Sequence, residues 1–164
     1  MATNTRGGGP TSPTADTETS RLVWYAAGLS AAASVIHGLV TPSHFAEWWG
    51  YGAFFAVAAI SQMGYGALLL LSPWRYDATG GLRADGGRSA TRTYYLIGVA
   101  GNAAIIVMYV VTRTIGIPFF GPEAGEVEPV APLDLLSKVI EGVLIVVLLR
   151  LYRELAPVRR EAPR

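Results

Sequence analysis

The chain has 164 residues, of which 51% are apolar and only 15% charged, and its mean hydropathy is positive. That is not the make-up of a soluble domain of this size. A net charge of +1 gives no field that would draw nucleic acid or an acidic substrate, and the absence of cysteine excludes disulfides, Cys-ligated zinc, iron–sulfur clusters and thiol catalysis.

Residues 1–20 are rich in Thr, Gly, Pro and Ser and carry almost nothing apolar, so they read as a disordered tail, and Gly7-Gly8-Gly9 belongs to that tail rather than to a phosphate loop. Residues 21–152 read as one transmembrane domain. Its first span, about Leu22–Val40, begins behind Arg21. The middle of that span is weakly hydrophobic, and small residues four apart (Gly28 with Ala32, Ser30 with Ser34) let helices approach closely, which places the helix inside the fold rather than against lipid. A cleaved signal peptide is the competing reading of this Ala-rich stretch; the long polar leader and the lack of a secreted domain count against it.

Thr41-Pro42 has the form of an N-cap followed by a first-turn proline, and predicts a second helix over 42–71. A helix of that length spans roughly 45 Å, more than the hydrocarbon core, so its first turns lie in the interface with Trp48, Trp49 and Tyr51. Residues 72–92 hold two Gly-Gly pairs and four arginines and read as a flexible polar loop. A third span covers about Thr93–Thr112. The connection 113–132 has four prolines, three glutamates and Phe119-Phe120, and predicts an ordered cap over the helix ends. Pro132 starts the fourth span, about Leu133–Leu151, and residues 153–164 form a basic tail. The fold class is therefore all-α, a four-helix transmembrane bundle in up-down order.

Eleven arginines fall in the two tails and the 72–92 loop, against Arg113 alone in the other two connections. By the positive-inside rule both termini are cytoplasmic in the plasma membrane, and His37, His44, Glu47 and the 113–132 connection face outward. Polar residues within spans face the interior or a wet cavity. They gather in the outer half: His37, Arg113, Asp134, Lys138 and Glu141, with Gln62 and Asn102 deeper. This predicts an outward-opening polar pocket floored by Gln62 and Asn102.

If a helix begins at Pro42, His44 and Glu47 share a face that Tyr51, Phe55 and Gln62 continue, and His37 lies across a tight turn. Two imidazoles and a carboxylate converging there could ligate iron, copper or zinc, with haem a weaker variant; the alternative is that His44 and Glu47 are ordinary first-turn interface residues. Asp134, Lys138 and Glu141 form a ladder on one helix face, in which Lys138 neutralises one carboxylate and Arg113 reaches another. Glu141, the deepest, is a further candidate for proton or ion handling. Met63 and Met108 read as core packing rather than soft-metal ligands. No hydrolase elbow, Walker motif, dinucleotide fingerprint or HExxH is present, so no catalytic residue is assigned.

The run HFAEWWGYGAFF, together with RTIGIPFFGPEAGEVEPV, resembles a group of small four-span bacterial membrane proteins, mainly actinobacterial, that carry no established activity. The resemblance covers His37–Leu151; it implies a fold and a location but no mechanism. Two function classes remain open from the sequence. In one, the pocket binds a metal ion or redox cofactor as an accessory in metal handling or electron transfer. In the other, the chain is a non-catalytic membrane subunit or scaffold, with a membrane-protein partner or a homo-oligomer, and its buried polar groups fasten helices together.

Overall fold

The computed structural model describes residues 13–117 and 119–155; the rest of the N-terminal tail (1–12) and most of the basic tail (156–164) lie outside the described residues. Among them are four α-helices, α1 (Pro13–Glu47), α2 (Trp49–Leu71), α3 (Arg88–Thr114) and α4 (Pro132–Glu154), and no strand. Three of these helices, α1 to α3, are long and apolar enough to cross a membrane. In α4 the ladder Asp134, Lys138 and Glu141, with Arg150 near its end, breaks up the apolar run.

The first two helix boundaries differ from those expected. Residues 13–20 are helical, so the predicted tail is shorter than read, and α1 passes straight through Pro42 to Glu47. Proline removes one backbone donor, and here the local turn is supported by side chains: the Thr41 hydroxyl donates to the His37 carbonyl at 2.7 Å, and Ser43 Oγ and His44 Nδ1 both donate to the Val40 carbonyl at 2.8 Å. The reversal comes later, at a single extended residue, Trp48. Room for it is made by glycine. A Cβ on Gly50 would run into the Trp48 ring, and one on Gly52 into the Phe45 ring.

Each helix packs antiparallel to its contacts. Ala27 and Ser30 of α1 face Gly66 of α2, where a Cβ would meet the Ala27 carbonyl oxygen at 3.0 Å, and Ser34 further along α1 faces Ala59 further back along α2. The hydroxyls of Ser30 and Ser34 donate across this seam to the carbonyls of Gln62 and Ala59, both at 2.6 Å. Of the two small-residue pairs expected to bring helices together, Ser30 with Ser34 does so; Gly28 faces outward with nothing near it. The other side of α1 meets α4, and α4 meets α3, so α1 and α4 form the centre. Their buried core includes Ala26, Ala27, Leu144, Leu148 and Leu151, with Leu69 and Tyr95 packed against it. Met63 and Met108, read as core residues, are instead exposed on the helix faces.

The α2–α3 connection is more ordered than its glycines suggested. It makes a short 3₁₀ turn (Pro73–Arg75) and a bridge between Tyr76 and Leu82, around a turn in which Asp77 accepts from Thr79 and Gly81. The α3–α4 connection folds over the other end as expected. Glu128 N–H donates to the Thr112 carbonyl, Gly125 N–H to the Ile117 carbonyl, and Tyr51 Oη donates to the Phe120 carbonyl at 3.1 Å. Phe120 also stands edge-on to Trp48 at the α1–α2 corner, 4.9 Å between centroids.

Candidate functional site: a capped cavity above buried polar groups

α2 and α3 touch mainly through long side chains, such as the stacked Tyr65–Tyr94 pair near one end. Towards the capped end they separate, and a cavity of about 520 Å³ opens between them beneath the α3–α4 connection. Apolar and aromatic groups make its walls, among them Phe54 and Phe55 of α2, Val107 and Met108 of α3, and Phe119 and Phe120 of the cap. Phe54, Val107 and Met108 are exposed at its side, so the cavity is open laterally where an apolar solvent would lie.

Beneath this cavity lies a group of buried ionisable side chains. His37 (α1) and Glu141 (α4) are both buried, 3% and 0% exposed, and His37 Nε2–H donates to Glu141 Oε1 at 2.8 Å. The second oxygen of Glu141 accepts from Lys138 Nζ at 2.6 Å. One carboxylate thus joins two potential cations, which is what makes its removal from water bearable. Behind it, Gln62 Nε2 donates to Asn102 Oδ1 at 3.3 Å and to Glu141 Oε1 at 3.4 Å, and Asn102 Nδ2 is tied to the Gly98 carbonyl at 2.8 Å. Gln62 Oε1 is buried with no hydrogen-bond partner.

A second ionic group stands nearer the cap. Arg113 pairs with Asp134 at 2.7 Å and with Glu128, and its guanidinium lies 5.0 Å from the centroid of the Tyr109 ring. Lys138 Nζ is 5.8 Å from the same centroid. Tyr109 therefore sits between two cations, its ring facing both. Its hydroxyl, however, is buried without a hydrogen-bond partner, as is Arg113 Nε. Two donors on the cavity lining are thus left without an acceptor.

Of the polar residues expected to line a pocket, Gln62, Asn102, Glu141 and Lys138 come together in one hydrogen-bonded group, and Arg113 stands apart with Asp134 and Glu128; Lys138 and Arg113 line the cavity, while Gln62, Asn102 and Glu141 lie behind its lining. The predicted metal shell does not assemble. His37, His44 and Glu47 lie on one continuous helix instead of on either side of a turn, and positions seven apart on a helix are separated by roughly 10 Å along its axis. The two imidazoles are also occupied. Both pack against the Phe55 ring, His37 at 5.6 Å and His44 at 3.9 Å between centroids, while His37 is bound to Glu141, and Glu47 is exposed. Among the described residues no group of three or more His, Asp or Glu could hold a metal ion. The face expected to run from His44 through Phe55 to Gln62 is likewise split between two helices, although His44 still meets Phe55 across the corner.

Sequence reasoning missed three parts of the site. The sequence pairs the ladder's carboxylates with Lys138 and Arg113 alone, yet His37 Nε2 also lies 2.8 Å from Glu141 Oε1. Matching depth would have found it, since His37 lies about one turn inside one helix end and Glu141 is the deepest acid of the helix beside it. Tyr109 carried no signal beyond its place one turn before Arg113, and Ser137, buried beside Glu141 on the cavity side of α4, carried none. Compared with known proteins, the chain matches no family model, no curated protein and no solved structure, so the resemblance to small four-span bacterial proteins rests on its sequence motifs alone.

Proposed function

We propose that the chain is a four-span bundle of the plasma membrane, with both termini cytoplasmic, that binds an amphiphilic small molecule in the outward cavity between α2 and α3. The molecule has an apolar body and a hydrogen-bond-accepting head. Lipid-soluble redox cofactors with a quinone carbonyl belong to this class, and the role is then that of an accessory in electron transfer. One observation carries the reading: an apolar, laterally open cavity is lined by Tyr109 and Arg113, each of which holds a buried donor without an acceptor. A carbonyl or ether head would take the Tyr109 hydroxyl once that side chain turns toward the cavity, while the apolar body lies along Phe54, Val107 and Met108. The buried Lys138–Glu141–His37 chain beneath would hold the head in a fixed field and keep acid–base groups beside it. Metal handling loses its support, because it needed His37, His44 and Glu47 to converge.

The scaffold reading keeps one specific observation, the two serine hydroxyls that fasten α1 to α2. Organic extraction of the purified protein, followed by mass spectrometry, separates the two. The binding reading expects a lipid-soluble molecule retained near one per chain, and a loss of about fivefold in affinity in Tyr109→Phe, the worth of one hydrogen bond. Extracts matching those of an unrelated membrane protein, with a naphthoquinone probe binding Tyr109→Phe as well as the parent, would leave the scaffold reading in its place.

A further inference from the structure

At the end of the molecule away from the cap lies a second cleft, of about 510 Å³, between the start of α3 and the end of α4. Arg88 and Arg92, one turn apart on α3, line it with the hydroxyl residues Ser89 and Thr93 that follow each of them. Arg92 is held in place from α4: its Nη2 donates to Tyr152 Oη at 2.9 Å, and its guanidinium carbon lies 4.6 Å from the centroid of the Tyr152 ring. Its Nε is nevertheless buried without a hydrogen-bond partner. Neither arginine forms an ion pair among the described residues. The acid of the cleft, Asp85, accepts the Gly87 N–H at 2.9 Å and leaves the cleft with a net positive charge.

We infer that this cleft binds the phosphate of an anionic phospholipid. Two guanidinium groups without ion pairs, one of them held in place by Tyr152, beside hydroxyls suit a phosphodiester, which takes planar donors in pairs. Place decides between a lipid and a soluble anion. The uncharged run of α3 starts at Thr93, immediately after Arg92, and the apolar run of α4 ends at Arg150, just before Tyr152. The cleft is thus level with the headgroup layer. At the same end of the helices Tyr65 stacks on Tyr94 and Trp74 packs against Tyr94, as aromatic residues do at a membrane boundary, and Trp74 Nε1 is fixed to Thr91 Oγ1 at 2.7 Å. Leu96, exposed one turn further into α3, offers the start of a track for an acyl chain. Basic clefts between spans at this level are the places where anionic headgroups settle. The inference is independent of what fills the capped cavity.

The test uses the full chain in zwitterionic nanodiscs, titrated with phosphatidylglycerol, extra phosphatidylcholine, or inorganic phosphate, and reads the thermal unfolding midpoint and retained lipid by native mass spectrometry. Phosphatidylglycerol should raise the midpoint and remain bound near one per chain, and phosphatidylcholine should do neither. Apparent affinity should fall about fivefold in Arg88→Gln and further when Arg92→Gln is added, but not in Arg21→Gln, which removes the same charge at the same end outside the cleft. Arg88 is exposed and its side chain holds no bond among the described residues, so its variant keeps the test alive if Arg92→Gln fails to fold. Equal stabilisation by inorganic phosphate would make this a soluble-anion site and overturn the inference. So would equal retention of phosphatidylglycerol by parent and Arg88→Gln.

Discussion

Glu141 Oε1 lies 2.8 Å from His37 Nε2 and Glu141 Oε2 lies 2.6 Å from Lys138 Nζ, so a single fully buried carboxylate ties the two central helices to each other and to the cavity. Its removal leaves a lysine and an imidazole in a poor solvent without a counter-charge. Glu141→Gln should therefore cost roughly 3 kcal/mol of stability in detergent, whereas Glu141→Gln combined with Lys138→Met should cost less than Glu141→Gln alone. Denaturant titration of the three proteins reads the coupling. Additive costs, or a harmless Glu141→Gln, would mean that the pair is solvated.

The parts of the fold that were legible in the sequence were those written by long-range composition. Uncharged runs of twenty residues, the Pro132 start of α4 and the four-and-three spacing of its ladder all report backbone physics that no tertiary contact overrides. The α1–α2 corner was not legible because two signals competed. Thr41-Pro42 has the form of a helix start, but a proline is also tolerated inside a long helix, here with side chains of Thr41, Ser43 and His44 bonding carbonyls of the adjacent turn, and the decisive residues were Gly50 and Gly52, whose missing side chains make room for the Trp48 and Phe45 rings. Moving the corner by six residues turned the expected ligand cluster into two histidines two turns apart. The site's buried polar group survived this error because Gln62, Asn102 and Glu141 are placed by depth, which a shift in the corner leaves unchanged.

The separation of the two histidines makes them distinguishable. His37 is 3% exposed and joined to Glu141, while His44 is half-buried and contributes a ring contact to Phe55 and a bond to Val40 within its own helix. His37→Ala should destabilise by a few kcal/mol, since it opens a void beside a buried carboxylate. His44→Ala should cost about 1 kcal/mol. A shared metal ion would instead make the two variants equivalent and would strip bound metal from both, which elemental analysis of the purified proteins would reveal.

The turn after α2 carries an acid-sensitive element that lies outside the spans. The Thr79 hydroxyl donates to Asp77 at 2.7 Å, and the backbone N–H groups of Thr79 and Gly81 add two further bonds, which together hold the Asp77 carboxyl below the usual carboxylate range. A carboxyl depressed in the folded state stabilises the turn fully above its unfolded value, near 4, and that contribution is lost as the pH falls through the lower folded value. The amide resonances of Thr79 and Gly81 should thus hold steady down to about pH 4 and shift only below it. In Asp77→Asn, which keeps an acceptor oxygen but cannot titrate, the transition should vanish. A midpoint at or above the ordinary aspartate value would show that the three bonds are absent in solution.

A sequence count and a packing relationship together bear on which way the protein faces. Arg92 of α3 meets Tyr152 of α4, and Glu18 of α1 pairs with Arg150 of α4, so the start of α1, the α2–α3 connection and the end of α4 share one end of the molecule. Eleven of the twelve arginines belong to that end by sequence, and the exception, Arg113, is neutralised at the other by Asp134 and Glu128. A reporter fused after Arg164 should behave as cytoplasmic, and a cysteine placed at Gly125 in this cysteine-free chain should react with a membrane-impermeant maleimide added to whole cells. A cysteine at Gly80, in the α2–α3 connection, should stay protected until the cells are opened. Labelling of Gly80 but not Gly125 in intact cells would reverse the orientation, turn the capped cavity toward the cytoplasm, and place the arginine cleft in the outer leaflet.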